Sequence, residues 1–520
     1  MNLRNLRRIS QLTVLILFVY IFLQTRLDTG DFTSAVSLKS NMKAFFAIDP
    51  LHAVSTLLSA GDVFPLLWFS LITVGITLLF GRVFCGWFCP FGTLHHITGK
   101  LAERMGFSPS YSYSPKQRLK YYILVALLVS AIMGVNLAGY MDPLSLLVRS
   151  LGSFFIPLLQ WSAEGLHNIL GTAGINADPM MFYLADHVFG TDYVYIGQAF
   201  LIGLIFLTLL GMNFIHRRFW CRFLCPLGAL LGLISKFSLF RIKSAPCSSC
   251  GKCLNDCEGA ADPMGDVRTE ECLMVLNCLE ACPESAIGWG METKPAKIDL
   301  SKRHTGTALL AGFAAAPLFR LGLHDTRPVP GLIRPPGALA EKDFLDRCVR
   351  CEACIRVCPE NFLQPALLEG RLEGLWTPIG NGNTGYCEYS CNICAEVCPT
   401  GAIELHPVAE KKKISIGTAF IDPGRCLPFA FDRNCIVCEE HCPTPEKAII
   451  FRETDRKATD GQVIKEPVIV PDLCIGCAIC QAKCPVVDSP AIYVTSVGET
   501  RDPDNRMLPD FEMPSGSPYG

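Results

Sequence analysis

The residues best suited to chemistry are cysteines: 27 of them in a chain of 520 residues. Four lie within residues 1–246 and the rest within 247–520. The later ones fall in triplets, mostly C-x2-C-x2-C, each followed by a fourth cysteine that usually precedes proline. Three thiolates from one tight loop can cap a face of an iron–sulfur cube, with the fourth supplied by a distant run. Tetrahedral zinc favours two C-x2-C pairs instead. Disulfides do not explain repeated triplets, since each bond needs only two cysteines with Cα atoms within ~7 Å.

Three groups result. The first is Cys247, Cys250, Cys253 and Cys257, then Cys272, Cys278 and Cys282. Crossed ligation gives one cluster Cys247, Cys250, Cys253 and Cys282, and the other Cys257, Cys272 and Cys278. Val275 stands where a cysteine is expected, so that site holds a 3Fe-4S cluster or a 4Fe-4S cluster with a ligand other than cysteine. Glu258 replaces the proline after Cys257. In the second group, Cys348, Cys351 and Cys354 go with Cys398, and Cys387, Cys391 and Cys394 with Cys358. One extra residue separates Cys387 from Cys391. In the third, Cys426, Cys435 and Cys438 go with Cys484, and Cys474, Cys477 and Cys480 with Cys442. About six 4Fe-4S-type clusters are expected, in α+β bacterial-ferredoxin-like modules at 241–300, 346–408 and 409–498. Residues 324–345 read as a proline-rich linker, Lys411–Lys413 as a solvated turn, and 499–520 as a disordered tail.

The elements before these runs are of another kind. Half the residues are hydrophobic and 18% are charged, against ~25% in soluble domains; mean hydropathy is +0.32. An ordinary soluble enzyme, a disordered chain and a small disulfide scaffold are excluded. A net charge of −2 gives no footprint for nucleic acid. Four apolar stretches approach the ~20 residues of a membrane span: Gln11–Gln24, Phe64–Phe84, Tyr121–Leu137 and Ile196–Ile215. The expected fold of residues 1–240 is an α-helical transmembrane bundle of four spans, the first an uncleaved anchor. Arg4, Arg7, Arg8, Lys100, Arg104, Lys116, Arg118, Arg217 and Arg218 put the N-terminus and the first ferredoxin-like domain inside. The segment holding Asp142, Glu164 and Asp178 lies outside. Leu144–Trp161, interrupted by Arg149 and Pro157, reads as a surface or re-entrant helix.

The other four cysteines form a repeat. Phe84-Cys85 to Cys89-Pro90-Phe91-Gly92 recurs as Trp220-Cys221 to Cys225-Pro226-Leu227-Gly228. Cysteines at i and i+4 share a helix face, and proline marks a break at the second. Cys85, Cys89, Cys221 and Cys225 could ligate one iron or iron–sulfur centre, form two redox pairs, or be two structural pairs.

With these frames in view, residues 1–290 resemble the quinol dehydrogenase membrane subunits NapH and MauN. Residues from about 302 to 498 resemble the ferredoxin-type proteins NapG and MauM. The latter resemblance rests on Ile333 to Ala338, the run Cys348–Cys358, Ile416 to Asp422 and the run from Cys474. A fusion of the two types is implied, embedded in a bacterial inner membrane. It implies oxidation of quinol from the membrane pool and electron transfer to a periplasmic reductase or c-type cytochrome. NapG-type proteins carry a twin-arginine export signal. Here Lys302-Arg303 precedes a weakly apolar stretch, so residues 301–323 read as a retained signal and candidate fifth span, with the C-terminal modules in the periplasm.

No G-x-G-x-x-G, P-loop or C-x-x-C-H occurs, so nicotinamide, nucleotide and c-type haem sites lack support. Quinol oxidation needs proton acceptors, and Asp142, His95 and His96 are the candidates. Two other readings stay open: a redox maturation factor like NosR or CcoG, and a cytoplasmic polyferredoxin anchored by the bundle.

Overall fold

The structure, a computed structural model, describes residues 3–25, 41–62, 64–189, 195–265, 267–291, 302–319, 329, 331–458 and 461–506. The apolar first half forms helices. They are α1 (Leu3–Gln24), α2 (Pro50–Ala60), α3 (Pro65–Phe80), α4 (Pro90–Arg104), α5 (Leu119–Ile132), α6 (Pro143–Thr172), α7 (Ala199–Phe214) and α8 (Pro226–Ser235). Among the described helices, α1 and α6 are the two long and apolar enough to cross a membrane. The helices in the other three expected spans are shorter than the ~20 residues a span requires. α3 ends at Gly81, whose φ of 72° suits glycine, and α5 is followed by Gly134 at φ 78°.

One expectation is corrected. Leu144–Trp161 is not interrupted but lies in a continuous helix. A π turn at Leu151–Phe155 absorbs Pro157, which lacks an N–H to donate and would clash with the preceding turn. Arg149 does not break the helix either. Its guanidinium is buried, stacks 4.2 Å from the Trp376 ring and donates to Arg350 O.

The cysteine-rich half forms two-stranded antiparallel sheets and one-turn helices. β1 (Phe240–Ser244) pairs with β2 (Ile287–Met291), closing the first ferredoxin-like domain. β3 (Leu363–Pro365) pairs with β4 (Pro378–Gly380). β5 (Thr418–Ile421) pairs with β8 (Ile492–Thr495), and β6 (Ile449–Lys457) with β7 (Val463–Ile469). The β5–β8 pair joins the two ends of the third module.

Two domain boundaries also move. Part of the expected linker at 324–345 lies outside the described residues. From Leu332 onward it is packed, with Ile333 and Ala338 buried and Arg334 fully enclosed. It turns at Pro336 and Gly337 and continues as a short helix, Glu341–Arg347. The expected tail is ordered through Asn505, which is buried and donates to Ser496 O at 2.9 Å. Residues 507–520 lie outside the described residues.

α5 relates the two halves. At its N-terminal end, Lys120 Nζ lies 2.5 Å from Glu271 Oε2, and Gln117 donates to Gly259 O, both in the first ferredoxin-like domain. Past its C-terminal end, Asn136 donates to Asp346 O and Arg350 donates to Asn136 O, in the second module. The helix α9 (Lys302–Phe319) runs beside α5 in the same direction. His304 packs beside Tyr122, Gly312 meets Ala126 and Val129, and Phe319 meets Tyr140. The first domain and the C-terminal modules therefore sit at opposite ends of α5, with α9 carrying the chain from one end to the other.

Candidate metal centres

The one-turn helices place the thiols. The third cysteine position of each run lies in a helix of four or five residues, and the two such helices of a module pack together: Lys252–Asn255 on Asn277–Ala281, Ala353–Arg356 on Ile393–Glu396, and Val437–Glu440 on Ile479–Ala482. This two-fold arrangement brings distant cysteines to the same point. Cys247, Cys250, Cys253 and Cys282 line one cavity. Cys426, Cys435, Cys438 and Cys484 line another, and Cys442, Cys474, Cys477 and Cys480 a third. Cys354 has Cys351, Cys348 and Cys398 around it, and Cys394 has Cys391, Cys387 and Cys358. Cys278 faces Cys272 and Cys257. Burial pushes Cys391 and Cys426 up to about 11 and Cys358 and Cys438 up to about 12. Metal must displace those protons on binding.

The loop backbone carries a second signature. In four of the six runs, two residues flanking the middle position have φ between 50° and 73°: Ser249 and Gly251, Met274 and Leu276, Arg350 and Glu352, Gly476 and Ala478. Left-handed backbone costs ordinary residues roughly 1–2 kcal/mol each. Alternating it with right-handed backbone turns successive N–H groups into a concave anion-binding nest, as at iron–sulfur sites. The loops thus fit a cluster by their backbone as well as their thiols. The extra residue between Cys387 and Cys391 is handled differently. Lys411 is not a solvated turn residue: it is buried and donates to Glu388 O at 2.7 Å and Tyr389 O at 3.2 Å, bracing that loop.

Val275 sits in such a nest, between Met274 and Leu276. The site keeps the cluster-binding backbone with one thiol fewer. Val275 is buried against the bundle, and Gly86 approaches so closely that a Cβ there would lie 2.2 Å from Leu273 O. Glu258, the other departure from the ferredoxin pattern, also faces the bundle. Its carboxylate meets Arg218 Nε at 2.6 Å, Arg7 Nη1 at 3.0 Å and His96 Nδ1 at 3.0 Å. Burial pushes Glu258 up, but Arg218, His96 and Arg7 overcome it and hold the carboxyl well below the usual range.

The bundle thiols lie beside this junction. π turns at Phe84–Phe88 and Trp220–Leu224 lead into Cys89 and Cys225, each extended, each followed by proline at the first helical position. Each second thiol caps its helix, Cys89 Sγ accepting from Gly92 N and Cys225 Sγ from Gly228 N. Cys85, Cys89, Cys221 and Cys225 are within electrostatic reach of one another. Two buried arginines cross between the repeats. Arg218 donates to Cys85 O and lines Gly92, while Arg82 lines Gly228. All 27 cysteines are free, so the bundle thiols form no disulfide. Among the described residues no three thiols come within 4.8 Å. That is wider than the roughly 3.8 Å between sulfurs around a single tetrahedral ion.

Known proteins share this organisation in part. The ferredoxin-type protein NapG of Escherichia coli (strain K12) is 36% identical over 191 residues, covering 35% of this chain and 80% of NapG. The methylamine utilization ferredoxin-type protein MauM of Paracoccus denitrificans (strain Pd 1222) is 34% identical over 186 residues, 35% of this chain and 78% of MauM. The chain belongs to the NapG/MauM family of ferredoxin-type proteins. YccM of Escherichia coli (strain K12), named as an electron transport protein, is 31% identical over 218 residues, 40% of this chain; the chain spans half of YccM's length. Profiles of a 4Fe-4S binding domain match residues 62–108, 198–244 and 343–364, and that of a 4Fe-4S dicluster domain matches 386–445. The first two matches enclose the two bundle cysteine frames. No solved structure matches the chain. This NapG/MauM-type chain is thus an iron–sulfur electron-transfer protein carrying 4Fe-4S domains.

The three candidate proton acceptors separate. His95 and His96 lie at the bundle end that faces the first ferredoxin-like domain, His95 bonded to Asn213 and His96 to Glu258. Burial pushes both down to about 4, which makes them poor acceptors near neutral pH. Asp142 lies at the other end, 3.1 Å from His52 and beside Asp49. Asp49 and His52 were missed. A signal existed: Asp-Pro-Leu occurs at 49–51 and again at 142–144, once in each half of the bundle.

Proposed function

We propose that the chain is a membrane-bound quinol dehydrogenase component, a NapH/MauN-type bundle fused to a NapG/MauM-type ferredoxin. In this reading α1, α3, α5 and α7 mark the four spans and α9 a fifth crossing. The N-terminus and first ferredoxin-like domain lie inside, and the C-terminal modules outside, in the periplasm. The observation that carries it is the attachment of the two cysteine-rich parts at opposite ends of α5, with α9 running alongside. An anchored cytoplasmic polyferredoxin would have no need of that separation.

The six thiol sets serve as cluster ligands, with the Cys257, Cys272 and Cys278 site of 3Fe-4S type or completed by another ligand. Cys85, Cys89, Cys221 and Cys225 hold one further cluster shared by both repeats, with Arg82 and Arg218 offsetting its negative charge. Contacts between sets support an order of transfer in the C-terminal modules. Cys354 lies near Cys394, Cys387 N donates to Cys477 O at 2.8 Å, and Cys480 lies near Cys438. Electrons would run from the Cys348 set through the Cys387 and Cys474 sets to the Cys426 set, and on to a periplasmic reductase or cytochrome. In spheroplasts, protease added from outside should remove an epitope tag fused after Gly520; a tag protected until the membrane is broken sinks the periplasmic assignment. Anaerobic addition of decylubiquinol should bleach the clusters of the purified protein, and failure of every quinol tried sinks the dehydrogenase reading.

A further inference from the structure

Asp49, His52 and Asp142 are wholly buried, and their side-chain ligand atoms lie within 4.8 Å of one another. His52 Nε2 is 3.1 Å from Asp142 Oδ2 and 3.1 Å from Ser145 Oγ. Each aspartate caps the helix that follows it, accepting from Leu51 N and from Ser145 N, both at 2.8 Å. A cap uses one carboxylate oxygen and needs neither a second carboxylate nor an imidazole beside it. Apart from a carboxyl–carboxylate hydrogen bond between Asp49 and Asp142, Asp49 Oδ2, Asp142 Oδ1 and His52 Nδ1 have no partner among the described residues. Buried polar atoms are rarely left so.

Two buried carboxylates this close do not both stay charged. Burial, and then Asp142, push Asp49 well above its ordinary range, so the pair holds one proton. Burial lowers His52 but Asp142 and Asp49 outweigh it and raise it overall. They are the charges acting on His52. Of the neighbours, Lys43 faces Cys398 and Glu396, Asp62 pairs with Arg347, and Arg149 turns to Arg350 O.

The cluster loop of the second module lies directly over this site. Gly139, three residues before Asp142, approaches Val349 O so closely that a Cβ would stand 2.0 Å away. Farther along, Ser153 is hydrogen-bonded to Glu352. Val349, Arg350 and Glu352 are the residues between Cys348, Cys351 and Cys354.

We propose that Asp49, His52 and Asp142 are the proton-accepting site for quinol oxidation, working with the cluster of Cys348, Cys351, Cys354 and Cys398 as first electron acceptor. The proposal rests on the quinol reading above. Each quinol loses two protons and two electrons and leaves as quinone. A 4Fe-4S cluster held by Cys348, Cys351, Cys354 and Cys398 would take the two electrons one at a time, each passing on toward the Cys387 set before the next arrives. His52 and the charged member of the aspartate pair take the protons and release them on the side of the C-terminal modules.

The test uses the full chain in nanodiscs, mixed anaerobically with decylubiquinol across about pH 5–9. Asp142→Asn and His52→Gln are expected to slow cluster bleaching by about 10²-fold or more and to alter its pH profile. Asp142→Glu should restore part of the rate. Iron content and the extent of bleaching by dithionite should match the parent, which separates lost proton transfer from lost folding. Variants as fast as the parent, with its pH profile, overturn the proton-accepting site while leaving the quinol reading intact. Zinc or manganese found at one per chain in the parent and lost in Asp49→Asn also overturns it, since a cation then explains the unpaired oxygens. A parent that no quinol reduces overturns both.

Discussion

Val275 has lost the sulfur of its position but kept the backbone, because φ at Met274 and Leu276 still builds the nest. Restoring the thiol should therefore be tolerated. Val275→Cys is expected to raise iron by about one atom per chain and to abolish any 3Fe-4S signal in the oxidised protein. Iron and spectra unchanged from the parent would mean the site is already completed by another ligand. A second residue-level prediction concerns pH. Glu341 accepts from Arg334 Nε and Nη2 at 3.0 and 2.5 Å and from Arg501 Nη1 at 2.8 Å. Burial pushes its carboxyl up, but Arg334 and Arg501 bring it down to about 2. A depressed carboxylate stabilises the folded state above its unfolded value of ~4.3, and that stabilisation fades as pH falls toward the folded value. Glu341→Gln should lower the melting temperature near pH 6–7, and the gap from the parent should narrow as pH drops from about 4.5 toward 2. A gap that stays constant with pH would refute the pairing. The residues that were legible in advance were those in short local patterns, the cysteine triplets above all. Asp49 and His52 were not, because they meet Asp142 only through folding, about ninety residues away.

At the scale of elements, two close approaches hold the cysteine-rich parts to the bundle. Gly86 lies on Leu273 O and Gly139 on Val349 O. The obstacle in both is backbone, which cannot swing aside. Gly86→Ala and Gly139→Ala should each cost about 1–3 kcal/mol as overpacking does, read as a lower melting temperature and faster proteolysis of the affected part. Melting and proteolysis equal to the parent would mean that neither contact is tight in solution. The helix pattern was only partly readable. Composition located the apolar stretches, but helix ends depended on glycines at positive φ, and the π turn that accommodates Pro157 leaves no trace in hydropathy. Proline content at 324–345 implied a spacer, whereas from Leu332 the chain is packed and becomes helical at Glu341. It could not say that this chain would enclose Arg334.

For the whole molecule, iron stoichiometry weighs the seven sites together. On the proposed reading, six module clusters would account for roughly 23–24 irons, and one in the bundle would add about four. Cys221→Ser should remove the bundle's share and leave the rest, because the six module sets lie in separate cysteine runs. An unchanged iron content would sink a bundle cluster. The first ferredoxin-like domain touches the bundle through Val275 and Glu258, its two departures from the repeated pattern. These were visible in the sequence as irregularities, and their reason lay in bundle residues far earlier in the chain, Gly86 against Val275 and His96 and Arg7 against Glu258, which no local spacing reveals.

The crossed arginines have a consequence for how the protein is made. Arg218 bonds Cys85 O in the first repeat and Glu258 beyond the second. The first cysteine frame is therefore incomplete when it leaves the ribosome. At bacterial elongation rates of about 5–20 residues per second, it waits roughly 10–35 s for Glu258 to be synthesised. During that interval its thiols and Arg82 lack their final partners. Any loading of the proposed bundle site must follow translation of both halves, and a nascent chain halted before Arg218 offers an oxidant two unprotected thiols.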